Sequence, residues 1–425
     1  MVHLLLPAVS IEQRHPNFVS LVTQRKLRSA RLLLQDVFEQ MPIRDGGFVK
    51  DFQSTEFDPR VFELFTHELL REAGATFRVE GEQPDFEPTI RGTRFAVECA
   101  TVNPTKIDGV AAPSPYKAVN PKDASLESIK DRALNEVPTR FGSALFGKGS
   151  RRFGPQKLRY WELPNTTGLP FVFAVQTFHE DGALGFSGTG LATYLYGIQH
   201  LPDWDEAGNL VIRQVKAAPH TKPSGVEIPS GYFNDPVNAG VSAVLWSNTG
   251  TIPKFARMAL QGPYPDPDVA AFPVGSAGDP DPNAHAPRAF IYEVGDPEWP
   301  ETWGEGCILF HNPNATSPLP KDLVANVANG ALDAEGRYVE TIPAGLHPFT
   351  SVTFFAIGEN IEPTVERATE LYEMMASTHA KSRESRGAGW WDGITGEGEI
   401  SAYRSDCLVA EADGQREPSS EDSNV

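Results

Sequence analysis

Residues 84–103, PDFEPTIRGTRFAVECATVN, decide how the rest of the chain is read. An aspartate follows a proline, Arg91-Gly92 marks a turn, and TRFAVECATV runs on as an apolar strand with one glutamate in its middle. Successive side chains of a strand point to opposite faces, so Phe95, Val97 and Cys99 share one side and Ala96, Glu98 and Ala100 the other. A carboxylate flanked by FAV and CA is costly in a core unless it has a partner. What partners Glu98 is therefore the question the sequence poses.

The flanking segments give that strand a setting. Upstream, FDPRVFELFTHELLREAGA reads as a helix with Asp58 as N-cap, Pro59 in the first turn, Phe62, Phe65 and Leu69 at helical spacing, and Gly74 as terminator. Glu63 and His67 lie one turn apart beside its apolar stripe. ATFRVEG follows as a short strand. Before all of these, residues 17–41 read as a single amphipathic helix carrying Arg25, Lys26, Arg28 and Arg31, which a solvated face explains better than phosphate binding. Downstream, past a proline-rich stretch (104–121), SLESIKDRALNEV is helical by spacing, Pro138 interrupts it before RFGSALF, and LPFVFAVQTFHE (169–180) has the continuous apolar run of a buried strand. The order is α-β-β-β-α-β.

That order, with PD followed by twelve residues and then E-x-A, resembles the PD-(D/E)XK nuclease superfamily, the restriction-endonuclease-like fold, over roughly residues 58 to 180. The resemblance implies an α/β (α+β) fold with an αβββαβ core. It implies hydrolysis of phosphodiester bonds with Mg2+ (or Mn2+) held by Asp85 and Glu98, while Glu63, in place of the glutamate often found on the first helix, adds a third oxygen or anchors a water of the ion. The family's lysine, two positions after the glutamate, is absent, because residue 100 is alanine. Lys148 is the candidate for an amine that has migrated to another element, with Lys106 and Lys157 behind it. Four further stretches, FGSALFGK, YWELP, SNTGTIPKFARM and FHNPNATSPLP, resemble a divergent bacterial branch carrying this core without the usual lysine; a genome-defence role is implied by analogy alone. The plainer alternative has Asp85 capping a turn and Glu98 on an exposed strand edge. A core that has lost its lysine and binds nucleic acid or protein without cutting is the runner-up.

Candidate contacts to a polyanion are local. KGSRRFGPQKLR (148–159) holds Lys148, Arg151, Arg152, Lys157 and Arg159 with no acid among them and is the best candidate for gripping a nucleic-acid backbone, DNA before RNA, against the alternative of a solvated loop. Tyr160 and Trp161 follow, as core residues or as stacking platforms. In SNTGTIPKFARM a helix beginning near Pro253 would bring Lys254 and Arg257 to a phosphate, although a capped helix with surface charges is the more ordinary reading. His179, Glu180, His311, Asn312 and Asn314 sit at strand ends or turns and need no catalytic role.

Composition bounds the remainder. The chain of 425 residues carries a formal charge of −19, which repels polyanions on average, and 36 Pro and 37 Gly, which forecast many loops and short strands. Cys99, Cys307 and Cys407 show neither metal-ligand spacing nor a disulfide framework, so a reducing, cytoplasmic setting is expected. LLLPAV near the start is too short for a signal segment, and no window approaches a membrane span. No GxxxxGK[ST], GxSxG or HExxH motif is present, and GFSGTG is too loose for a dinucleotide fingerprint. We divide the chain into an N-terminal helical extension (1–56), a nuclease-like core (57–200), a mixed α/β elaboration packed on it (201–384) and a flexible acidic tail (385–425), and leave a homodimer open. In the elaboration VSAVLW, RAFIYEV, GCILFHN and SVTFFAI read as strands, 263–287 as a proline-rich loop, and a last helix starts at Pro363.

Overall fold

The structure is a computed structural model that describes residues 3–42, 46–78, 83–103, 106–107, 110–111, 131–179, 182–207, 209–222, 224–281, 283–284 and 286–385. Helices α1 (Pro16–Thr23), α2 (Arg28–Gln40), α3 (Phe48–Gln53) and α4 (Phe57–Glu72) come first. The single helix expected over 17–41 is thus two. Phe18 and Leu21 set an apolar stripe that would fall next on Gln24 and Arg25, whereas the buried residues resume at Leu27 and Ala30, so the chain turns through an extended Gln24 to change phase. Arg31 donates to the carbonyls of Leu21 and Gln24, satisfying the orphaned end of α1. In α4, Glu56 rather than Asp58 stands at the N-cap, and Asp58 lies in the first turn, where a carboxylate complements the helix dipole.

Strands β1 (Thr76–Arg78), β2 (Glu87–Ile90) and β3 (Thr93–Arg94) form a small antiparallel sheet. Its tight turn is Arg91-Gly92, both at positive φ (47° and 79°), a conformation glycine adopts without strain. A bridge between Phe86 and Val97 joins this meander to β4 (Ala96–Val102). The chain next reaches a helical segment through 131–136 that continues into α5 (Val137–Gly149), with Pro138 in the first turn rather than breaking a helix; residues 125–130 of the expected helix lie outside the described ones. Strand β5 (Phe171–Thr177) is buried along its whole length, and α6 (Thr189–Tyr196) follows.

The second half supplies β6 (Ala243–Trp246), α7 (Ile252–Gln261), β7 (Val269–Ala277), β8 (Arg288–Ile291), β9 (Ile308–His311), β10 (Ala328–Leu332), β11 (Tyr338–Thr341), β12 (Pro348–Ile357) and α8 (Ile361–Ser385). The last helix begins two residues before Pro363. The stretch read as a loop over 263–287 contains β7, whose apolar run is masked by Pro273. A hairpin of Ile198–Trp204 and Leu210–Lys216 was also not foreseen.

The main sheet has the order β11-β10-β9-β6-β5-β4, with β4, β5 and β6 mutually parallel, so it draws strands from both sides of residue 200. One face, bearing Val97, Cys99, Val172 and Leu245, is covered by the N-terminal helices and α7. The other, bearing Ala96, Ala100, Phe173 and Trp246, is covered by α5 and α6. This is the α/β/α layering that parallel strands require, since both faces must be apolar. A second sheet, β8-β7-β12, packs against α8 through Phe272, Val274, Ala368 and Met375. The chain is therefore mixed α/β. Among the described residues no helix is long and apolar enough to cross a membrane.

Candidate functional site

Among the described residues no strand pairs with β4 on that side beyond the Phe86–Val97 bridge, and a side chain takes the next donor: Asp85 Oδ2 accepts from the Cys99 N–H at 2.7 Å. Asp85 is thereby fixed against β4 beside Glu98. Glu98 is buried at 1% exposure, not at an exposed edge. Its Oε1 accepts from Lys148 Nζ at 2.5 Å and from the Tyr160 hydroxyl at 2.8 Å. Its Oε2 is also buried, and makes no hydrogen bond among the described residues. Lys148 reaches it from the last turn of α5, fifty positions along the chain.

Glu63 arrives from α4 on the opposite layer. Arg60, one turn before it, donates to both its oxygens (3.0 and 3.3 Å) and to Asp51 at 2.6 Å. Glu63, Asp85, Glu98, Lys148, Arg60 and Arg151 line one cavity of about 680 Å³. Layers on both faces of the sheet thus meet beside β4.

Burial, more than any excess of charge, sets how the acids of this site titrate. Burial first, then repulsion from Asp85, pushes Glu98 up to about 7 despite Lys148. The same two causes push Glu63 up to about 8 despite Arg60. Lys148 is raised, because attraction from Glu98 and Asp85 outweighs its burial, so it stands as an ammonium and a donor at neutral pH. The amine thus holds its proton, and the Glu98 carboxyl ionises late because it is buried and, second, because Asp85 faces it.

Two carboxylates, one carrying an unpartnered buried oxygen, are a hard-oxygen donor set of the kind magnesium accepts together with waters and phosphate oxygens. A three-acid cage is not formed: among the described residues no group of three or more His, Cys, Asp or Glu is arranged to hold an ion. Arg60 donates to both oxygens of Glu63, expected as a third oxygen ligand or the anchor of a metal-bound water, and holds it in an ion pair beside Asp85 and Glu98.

The other expected residues divide. Arg151 lines the cavity and donates to the Tyr160 hydroxyl at 3.3 Å. Arg152 and Lys157 are exposed, Lys157 on a turn closed by the Phe153–Leu158 bridge and outside the cavity lining. Arg159 donates to the Val237 carbonyl and lies over the Trp161 ring. Lys254 and Arg257 are corrected: both are buried and bound to Glu301, with Arg257 also donating to Thr353, so neither is available to a phosphate. The helix face taken for surface packs inside the protein. His311 pairs with Asn329, Asn312 and Asn314 donate to backbone carbonyls, and His179 pairs with Glu136, all structural contacts. Glu180 and the Lys106 side chain lie outside the described residues.

Two participants escaped the sequence reading. Tyr160, weighed as a stacking platform or core residue, is fully buried and holds Glu98. Arg60 could have been suspected from its i,i+3 spacing to Glu63. No protein-family model, no curated protein and no solved structure matches the chain.

Proposed function

We propose that the chain is a divalent-cation-dependent nuclease built on a restriction-endonuclease-like core, hydrolysing phosphodiester bonds in nucleic acid, with DNA the first substrate to try. The observation that carries this reading is the 2.5 Å contact of Lys148 with Glu98, beside Asp85 and in an open cavity. On this reading an amine delivered by another element stands in for the lysine missing at Ala100. The meander β1–β2, its bridge to β4 and the parallel partner β5 on β4 support the core assignment, as does α4 across the sheet from α5.

Asp85 and Glu98 would hold Mg2+ or Mn2+, which when bound neutralises phosphate charge and makes an attacking water more acidic. Lys148, already protonated, donates to the attacking water or a phosphate oxygen and steadies the Glu98 carboxylate. Tyr160 holds Glu98 in position through its hydroxyl. Arg151 at the cavity wall, with Arg152 and Lys157 exposed beyond it, gives a positive approach for the backbone on a chain that is otherwise acidic.

The test is cleavage of plasmid and single-stranded substrates with magnesium or manganese by wild type, Asp85→Asn and Lys148→Met. Cleavage in wild type, absent with chelator and at least about a hundredfold slower in both variants, is expected from loss of a preorganised charge at the reaction centre. Retention of nucleic acid by wild type without any cutting under either metal would overturn it in favour of a silent binding module.

A further inference from the structure

A second cavity, of about 260 Å³ and sharing no lining residue with the first, lies between the main sheet and the hairpin of Ile198–Trp204 and Leu210–Lys216. The hairpin is pinned to β11, the outer strand of that sheet. Gln214 accepts from the Tyr338 N–H and donates to the Tyr338 carbonyl, both at 2.8 Å. The His200 ring packs against the Tyr338 ring with centroids 5.5 Å apart. These contacts fix one wall of the cavity, so its shape is built into the fold. Much of the rest is apolar: Ile212 comes from the hairpin, Ala192 from α6, Ile308 from β9 and Phe349 from β12.

One charged group stands in this lining. Tyr338 and Glu340, two apart on β11, face the same side, and Glu340 Oε2 accepts from the Tyr338 hydroxyl at 2.8 Å. Glu340 is an exposed residue, so its carboxylate is reachable rather than sealed in the packing. Among the described residues no lysine or arginine lines the cavity or pairs with this carboxylate. Burial of its surroundings raises the pKa of Glu340, and the Tyr338 hydroxyl opposes the rise. Burial lowers both histidines of the lining, His347 to about 4, so at neutral pH neither supplies a positive charge.

These features select the charge and shape of an occupant. An anion would meet Glu340 with no cation to offset it. A neutral apolar molecule would strip water from a carboxylate and give nothing back. A metal ion asks for several oxygens and would find one carboxylate among apolar walls. The start of α6, which also lines the cavity, favours an anion, but its Thr189 N–H already donates to Ser187 Oγ at 3.4 Å. The full charge of Glu340 also exceeds the partial charge of a helix end. An ammonium on an apolar body satisfies both parts of the lining, and the Tyr338 and Phe349 rings are surfaces that attract a cation.

We propose that this cavity binds a small organic amine in its protonated form, the ammonium donating to Glu340 and the apolar body lying among Ile212, Ile308 and Phe349. The volume falls just below the range for drug-sized ligands, which limits the occupant to a small one. The inference goes beyond the nuclease reading and does not rest on it, since the site shares no residue with the acidic pair.

The experiment is calorimetric titration of the full chain at neutral pH, in chelator, with n-butylamine and benzylamine up to millimolar concentration. The alcohols of the same skeletons and benzoate serve as neutral and anionic counterparts. Wild type, Glu340→Gln, which keeps an acceptor for Tyr338, and Ile212→Trp, which fills the cavity from the hairpin side, are compared, with thermal melting to show that each is folded. Saturable binding of at least one amine, about tenfold or more tighter than its alcohol, is expected from a charged hydrogen bond. Glu340→Gln should remove that preference, and Ile212→Trp should abolish binding. The proposal is overturned if neither amine binds saturably, if an alcohol or benzoate binds as tightly as the amine, or if amine affinity survives either variant. Loss or retention of nucleic-acid cleavage is read separately and leaves this outcome untouched.

Discussion

At the scale of single residues the account turns on Glu98 and what surrounds it. Its place on β4 was legible because the strand run FAVECATV has one charged member, and Asp85 because it follows Pro84 just before β2. Tyr160 and Lys148 were harder, being 62 and 50 positions away, where no periodicity links them to the strand; Lys148 could be nominated only as a migrated amine. The same charges predict a pH dependence. Glu63 and Glu98 ionise near 8 and 7 in the folded chain, against an ordinary value of 4.5, so the folded state keeps protons that the unfolded state releases. Their contribution to stability is therefore full below about 4.5 and is lost as pH rises through 7 to 8. In chelator, urea unfolding of wild type should show stability falling across that window, and Glu63→Gln, which leaves Arg60 its bond to Asp51, should flatten the fall. Parallel curves for the two proteins would contradict the placement of Glu63 as a buried acid facing Asp85.

At the scale of elements, patterns fixed by local chemistry were readable and those fixed by packing were not. The Arg91-Gly92 turn, the buried run of β5 and the α4 stripe each declare themselves in a few residues. Helix α7 did not: IPKFARM looks like a surface helix, yet Lys254 and Arg257 face inward because Glu301, more than forty positions later, supplies the countercharge. Removing one member of such a buried group leaves the others uncompensated. Glu301→Ala should accordingly lose about 3–5 kcal/mol of unfolding free energy in urea denaturation. A loss under about 1 kcal/mol, the level of a surface pair, would show that the cluster is solvated rather than buried.

At the scale of the whole molecule, the expected core of 57–200 contributes only β4 and β5 to the main sheet, and β6, β9, β10 and β11 complete it from the later half. The sequence could not announce this, since strand neighbours far apart in sequence are chosen by tertiary packing. β5 lies between β4 and β6 and is buried throughout, so a chain ending at residue 200 would expose FVFAVQT as an apolar sheet edge. Residues 1–200 expressed alone should show no cooperative thermal transition by circular dichroism; a sharp transition would mean that the core is self-sufficient. Under the proposed function a divalent cation would be held by Asp85 and Glu98 in the cavity beside β4. The most direct measurement is anomalous diffraction from crystals of the protein soaked in manganese. One peak within coordination distance of Asp85 and Glu98, absent in Asp85→Asn crystals, is predicted; a fully soaked crystal with no peak between these carboxylates, or an unchanged peak in the variant, would contradict the account.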